Sequence, residues 1–525
     1  MSSPLPRVLA NFSSLKLLKL RLCELHGEFP LSFLDLRSNN FSGGIGHWFV
    51  NLAKLTYLSL GDCQLSGPIT SSFENLMRLF SLDLDYNNLQ GEIPNSLWEL
   101  KDLESLDLSW NNLSGTVDLH KLKKLRRLYL SFNNISFVSK TEINTTLPKL
   151  STLILDSCNL HEFPKFSGYL NGLRMIRLSY NKIGGSIPMW MRNGSKDTSE
   201  QVELSHNFLT GFGNNRINLP LPKLTYLDNS SNRLKTELPS PTPSAVYYNI
   251  SNNFLFGEIQ SICSGRSLVT LDLSGNSLNG TIPSCVGNID SLSILNLEKN
   301  KLESMIPHAY PKGCALKIMD LTENQLQGPV PRSLANCKKL EYLNLGYNKI
   351  LDGFPLRLSE LTELEAVILK SNKFHGPIET YGSQFNFSNL HIMDLSNNSF
   401  NGELPSKLLK SFHAMKVIKG QDQLEYMNTD EELPMSAYTV VIPINFGMKL
   451  TNKGTEREYL KVPYALMQID LSNNKFEGHI PDLVGDLKSL ILLNFSNNVL
   501  TSSIPPSFAN LIKLESLDLS RNKLL

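Results

Sequence analysis

No window of this 525-residue chain approaches the run of about 18 apolar residues that a membrane-spanning helix needs, so no span is expected within it. Charge is sparse and balanced, with 50 Lys and Arg against 49 Asp and Glu and a formal net charge of +1. That gives no reason to expect nucleic acid or an anionic lipid surface as partner. The start, MSSPLPRVLANFSSLKLL, lacks a basic segment followed by an apolar one, so no secretory signal is read there. The ten histidines are scattered, with no H-E-x-x-H, G-x-S-x-G or phosphate-loop pattern. Catalysis, a metal centre and a cofactor are therefore not expected.

Leucine and asparagine are abundant, and they are in register. LxxLxxLxLxxNxLxGxIP recurs about twenty times, as in LMRLFSLDLDYNNLQGEIP. The Asn column steps mostly by 24 residues, through Asn87, Asn111, Asn133 and onward to Asn398, then Asn474, Asn498 and Asn522. Cys23, Cys63 and Cys158 stand in the same column. This is a leucine-rich repeat. The two leucines of LxL lie on one side of a short strand, and stacked copies bury them in a continuous core. The column Asn can bond the turn that leaves the strand. Gly supplies the tight turn, and IP opens an extended return.

The register divides the chain. Residues 1–405 hold about 17 copies, 406–462 a non-repeat interruption, and 463–525 three copies, the last incomplete. Copies between about Asn193 and Ile259 are degenerate, so local opening is expected to concentrate there.

Seven cysteines fall into two groups. Those in the Asn column are too far apart along the stack to pair. Cys263, Cys285, Cys314 and Cys337 precede strands in successive copies, a spacing that suits bridges Cys263–Cys285 and Cys314–Cys337, with reduced thiols as the alternative. Of twelve Asn-x-Ser/Thr sequons, Asn144, Asn193 and Asn386 lie between strands and are glycosylation candidates, whereas Asn229 occupies a leucine column.

LxGxIP at this period resembles the plant-specific leucine-rich repeat. IPSCVGNIDSLSILNLEKNKL and KGCALKIMDLTENQLQGPVPRSLANCKKLEYLNLGYNKI resemble middle-to-late copies of plant leucine-rich-repeat receptor-like proteins, which are kinase-less cell-surface immune and developmental receptors. The resemblance implies a curved superhelix with a parallel β-sheet on the concave face, broken by one island. It implies a peptide, protein or oligosaccharide ligand, and a receptor-kinase co-receptor and adaptor kinase as partners. The plasma membrane, extracellular side, is the family's location. In the family the island ends in a Lys-Gly element and an acidic stretch. Here these read Lys453, Gly454, Glu456 and Glu458, while Ile444 holds the place of the family's upstream tyrosine. Family caps, signal and anchor are not found, so the chain reads as truncated at both ends. Rival readings are a receptor-kinase ectodomain fragment, a soluble cell-wall inhibitor of pathogen enzymes, which is normally shorter and has no island, and a non-functional truncated product.

Within the interruption, Leu408, Leu409, Phe412 and Met415 fall at helical spacing. GQDQLEYMNTDEELPMS reads as a mobile acidic loop, and YTVVIPINFGMKLTNKGTEREYLKV holds two strand-like runs around an NKG turn. One reading makes this a tolerated loop; the other makes it a platform that completes a ligand or co-receptor site.

On the repeats, Tyr86, Trp110 and Phe132 recur just before the Asn column, with Tyr180 and His206 further on. They form a candidate aromatic ladder for ligand binding, against ordinary surface aromatics. Arg126, Arg127, Arg174 and Arg177 offer a dock for a carboxylate, against a solvated basic face. Asp83, Asp85 and Asp107 belong to the repeat and are read as solvated or strand-bridging.

Overall fold

The structure, a computed structural model, describes residues 17–19, 32–41, 43–45, 52–118, 124–138, 149–165, 172–188, 191, 198–213, 221–379, 382, 384–418, 425–434, 439–445, 447–452 and 454–525. Cys23, Asn144, Asn193 and Lys453 lie outside the described residues. The chain forms two compact units, Met1–Lys235 and Thr236–Leu525.

In the first unit, LxL produces three-residue strands. Tyr57–Ser59, Ser81–Asp83, Ser105–Asp107, Arg127–Tyr129, Thr152–Ile154, Met175–Arg177, Gln201–Glu203 and Tyr226–Asp228 pair in parallel, in chain order. Their middle residues, from Leu58 and Leu82 to Val202 and Leu227, are at most 1% exposed. Alternation sends the flanking residues to the opposite, outward face. The second unit repeats the scheme from Tyr247–Asn249 through Thr270–Asp272, Ile294–Asn296, Ile318–Asp320, Tyr342–Asn344 and Ala366–Ile368 to Ile392–Asp394. The next strand, Gln468–Asp470, pairs directly with Ile392–Asp394, and Leu492–Asn494 and Ser516–Asp518 follow. The long interruption is therefore spliced out of the sheet without loss of register.

The return segments also pair. Ser66–Pro68, Asn88–Glu92, Asn112–Asp118 and Asn134–Val138 form a parallel sheet in the first unit. Phe256–Glu258, Ser277–Thr281, Lys301–Ser304, Gln325–Gly328 and Lys349–Ile350 form another in the second. The sequence reading has an extended return here but not a sheet. The period that stacks the leucines also aligns these segments. Short 3-10 helices close many turns, and two of them, Arg332–Asn336 and Asp482–Asp486, bury Leu334 and Val484.

The Asn column bonds its own turn and also ties one copy to the next. Asn324 Nδ2 donates to Leu321 O (3.2 Å) and Thr322 O (3.1 Å) of its own turn and to Leu297 O (2.9 Å) of the preceding copy. Its Oδ1 accepts from Leu302 N (3.0 Å). These bonds satisfy polar groups that the stacked core would otherwise strand. Cys63 and Cys158 keep the donor role, through Sγ to Leu36 O and Leu130 O. Burial pushes their thiols up to about 11 and about 12, which marks them as inert core residues. Cys263–Cys285 and Cys314–Cys337 are disulfide-bonded across adjacent copies.

The interruption has three parts. Ser406–Lys410 is a short helix and Ala414–Lys416 a 3-10 turn, burying Leu408, Leu409, Phe412 and Met415. Backbone bonds Ala414 N to Ser388 O and Ser489 N to Met415 O stitch this part to the copies on either side. Asn428–Pro434 then pairs antiparallel with Thr439–Asn445, and Met448–Asn452 with Thr455–Tyr459. The acidic stretch expected as a mobile loop is thus in part a strand. Its composition is polar, but a strand takes its partner from backbone bonds, which composition does not report. Gly454, at φ +75°, makes the tight turn of the second hairpin, a backbone state that disfavours a β-carbon.

Candidate functional site

The second hairpin docks on the outward face of the second unit's sheet. That face is built for it. In the outward column the first unit is mixed, with Tyr57, Ser81, Ser105, Arg127, Thr152, Met175, Gln201 and Tyr226. The second carries an unbroken apolar run, Ile294, Ile318, Tyr342, Ala366 and Ile392, with Leu492 beyond Gln468, and these six apolar residues are at most 6% exposed. Ile368 extends this surface in the neighbouring column, where most copies have Asp or Asn. Met427, Met448, Leu450 and Val462 from the interruption close over these residues in one apolar cluster. The run of apolar residues in the outward column is a sequence signal for the docking footprint, and column-by-column comparison of the copies exposes it.

Polar clamps fix the orientation. Lys370, only 3% exposed, donates to Glu456 (2.6 Å) and to Lys449 O (3.0 Å). Its ammonium lies 3.8 Å from the fully buried Asp394 and 5.1 Å from the Tyr347 ring centroid. Tyr347 donates its hydroxyl to Glu456 as well. Lys299 bridges Glu458 and Glu298, both at 2.8 Å, and Lys449 pairs with Glu323. Burial would raise the Glu456 carboxyl, but bonds from Lys370 and Tyr347 outweigh it and hold it below its usual range. The bond from Lys299 and its charge do the same for Glu458. These two glutamates therefore seat the hairpin.

Tyr342 is the central bracket. Its oxygen lies 2.8 Å from Gly447 O and 3.0 Å from Asp320 Oδ2. The hydroxyl proton is shared between these two acceptors, and burial pushes the Asp320 carboxyl up to about 8.

Between hairpin and sheet a cleft of about 270 Å³ remains. Asp272, Glu298, Asp320, Glu323 and Glu458 line it, against Lys370 and Lys449. Tyr247, Tyr342, Tyr347 and Tyr459 supply aromatic wall. Thr270, 4% exposed, also lines it, and its Oγ1 has no hydrogen-bond partner among the described residues. Leaving aside Asp320, four carboxylates face two lysines, so the cleft offers an excess of negative charge, tyrosine rings and an unpaired hydroxyl.

These carboxyls make stability depend on pH. Burial raises Asp320 to about 8, Asp470 to about 7, and Asp394 in the same direction. In the first unit Asp85 rises to about 7 and Asp107 and Glu203 to about 6, again chiefly through burial. In the unfolded chain such groups release protons near about 4. Their stabilisation is therefore full below about pH 4 and is lost as pH rises toward 7 to 8. Glu456 and Glu458 oppose this, losing theirs as pH falls below their unfolded values. The melting temperature is expected to be highest near about pH 4 and to fall toward pH 8.5. A steady rise from pH 5 to 8.5 in a thermal scan would contradict this balance.

The aromatic and arginine candidates lie in the first unit. Tyr86, Trp110 and Phe132 stack in sequence, with ring centroids 5.0 and 3.6 Å apart, and Tyr180 stacks on His206 at 4.1 Å. They occupy the left-handed turn after each strand, Trp110 at φ +53° and Phe132 at φ +57°. Three of the four arginines are already engaged by the chain's own carboxylates. Arg126 pairs with Glu104 (2.8 Å), Arg174 with Glu200 (2.7 Å), and Arg177 with Asp156 (2.8 Å) and Glu203 (3.2 Å). Arg127 donates to Ser105 Oγ at 3.2 Å. Arg126 also borders a trough with Arg78, Lys101, Lys124 and Lys149, a grouping that their scattered sequence positions conceal. Asp83 bridges strands by accepting from Ser59 (2.6 Å) and lies close to Asp85 and Asp107. Asn386 is exposed, and Asn229 is fully buried. Among the described residues, no helix is long and apolar enough to cross a membrane.

Comparison with known proteins agrees with this architecture. Leucine-rich-repeat family models match residues 70–113, 291–350 and 465–524, and 30–52, 54–76, 267–289 and 389–410. Receptor-like protein 54 of Arabidopsis thaliana is 36% identical over 385 residues, covering 72% of this chain and 46% of the relative. Receptor-like protein 7 of the same species is 44% identical over 378 residues, covering 71% and 38%. The chain thus spans less than half the length of these two relatives. The crystal structure of PEPR1–AtPEP1 superposes with a TM-score of 0.74 at 25% identity, covering 99% of this chain and 71% of that one. That of the Arabidopsis receptor kinase HAESA with the peptide hormone IDA and the co-receptor SERK1 gives 0.72 at 26% identity, covering 96% and 78%. By its repeats, its fold and these relatives, the chain belongs to the plant leucine-rich-repeat receptor-like proteins.

Proposed function

We propose that this chain is the ligand-binding portion of a cell-surface receptor-like protein. It takes a peptide bearing a cationic side chain into the cleft beneath the second hairpin and signals through partner receptor kinases. One observation carries this reading: the interruption is docked on an apolar outward face and leaves a cleft with more carboxylates than cations. An ammonium or guanidinium group entering there meets Asp272 and Glu298 and donates to Thr270 Oγ1, while the tyrosines cover its aliphatic stem. The complex of HAESA with the peptide hormone IDA supports a peptide ligand. HAESA being a receptor kinase also keeps open a receptor-kinase ectodomain, which the coding sequence following Leu525 would decide. A soluble wall inhibitor has no use for the docked hairpin.

The test is panning of the chain against a random dodecapeptide library. Selected peptides are expected to be rich in Arg and Lys, and Asp272→Asn with Glu298→Gln is expected to weaken their binding about tenfold or more. Acidic selections, or unchanged affinity in the double variant, would overturn the proposal.

A further inference from the structure

The aromatic ladder of the first unit stands in a different chemical setting from the cleft. Trp110 and Phe132 share a trough of about 690 Å³ with Asn88, Gln90 and Asn112. Every residue lining that trough is uncharged, and amides predominate. Rings 42% and 37% exposed, beside amides that both donate and accept, suit a neutral sugar: its C–H faces cover apolar ring and its hydroxyls meet the amides.

The sugar has a covalent source within the chain. Asn112-Leu113-Ser114 and Asn134-Ile135-Ser136 are glycosylation sequons. In each, the aromatic residue stands two positions before the Asn, in a left-handed turn. Among the described residues the exposed sequon asparagines are Asn40, Asn112, Asn134, Asn279, Asn386 and Asn397. Of these, only Asn112 and Asn134 have an aromatic residue two positions earlier. Asn249 has Tyr247 there, but its amide is half-buried, with Oδ1 accepting from Ser251. Tyr86 continues the ladder, yet Asn88 is followed by Leu89 and Gln90 and is not an acceptor.

We infer that Asn112 carries an N-linked glycan whose first sugars lie in this trough against Trp110 and Phe132, and that Asn134, one copy further along and outside the trough, carries a second beside Phe132. The ladder is then a seat for the protein's own glycans, and the exposed rings are covered in the mature protein. This rests on the extracellular reading proposed above.

The experiment is independent of the ligand. The chain, fused to a secretory signal, is produced in insect cells and its glycopeptides are mapped by mass spectrometry. Asn112 and Asn134 are expected to be occupied in most molecules, and Ser114→Ala and Ser136→Ala each to remove one glycan mass. Trp110 fluorescence, taken as the difference from Trp110→Phe, is expected to become at least twofold more quenchable by acrylamide after enzymatic deglycosylation. Unmodified Asn112 and Asn134 in a protein glycosylated at Asn386 would overturn the inference and leave the secretory reading standing. A chain glycosylated nowhere would overturn it as well. Occupied sites with unchanged quenching would overturn the packing of sugar on the rings.

Discussion

Replacing Lys370 with methionine is expected to release the second hairpin from the sheet. Methionine retains an apolar stem but removes the charge that lies between Asp394 and Glu456. Asp394 is 0% exposed, so it is left buried without its countercharge. Removing one partner of such a pair typically costs about 3–5 kcal/mol. Glu456 also loses its cation, and Lys449 O its donor. The whole cost falls on one docked element, so the hairpin should open locally while the repeats stay folded. Limited trypsin digestion reads this directly. Cleavage after Lys449 and Arg457 should accelerate at least tenfold in Lys370→Met, with the circular dichroism of the repeats unchanged. Unaltered digestion would show that the clamp does not hold the hairpin.

The second large effect is expected at Tyr342. Its ring is 1% exposed and sits inside the cluster with Met448 and Leu450, so Tyr342→Ala opens a cavity worth about 3–5 kcal/mol. Tyr342→Phe keeps the ring and removes only the hydroxyl that joins Asp320 to Gly447 O, at about 1–2 kcal/mol. Urea unfolding of the region spanning Thr236–Leu525, followed by hydrogen exchange, should rank wild type above Phe and Phe above Ala. Equal stabilities for Phe and Ala would mean that the ring contributes nothing to docking.

Much of the fold was legible because a repeat makes the same statement many times. A single LDL triplet is weak evidence for a strand. The same triplet every 24 residues, ending on an Asn that bonds two successive copies, leaves one stacking solution. What escaped was whatever depends on differences between copies. The outward column changes from Ser105 and Arg127 to Ile294, Ile318 and Ile392, a change that is invisible when all copies are read as one consensus. The hairpin Asn428–Pro434 with Thr439–Asn445 escaped because its acidic first strand lacks apolar alternation. Glu456 and Glu458 stood out in the sequence, but their partners did not, because Lys370 and Lys299 lie 86 and 159 residues away in sequence. Arg177 looked like a free cation for the same reason, since Asp156 and Glu203 reach it only once the copies are stacked.

The central claim is that the second hairpin of the interruption is docked on the repeats and roofs the ligand cleft. Hydrogen–deuterium exchange across Met448–Asn452 and Thr455–Tyr459 tests it most directly. The account predicts amides in these strands slowed by about a hundredfold or more relative to an open chain, and slowed further when a basic peptide from the library is bound. Exchange at the open-chain rate, or protection that is indifferent to such a peptide, would contradict it.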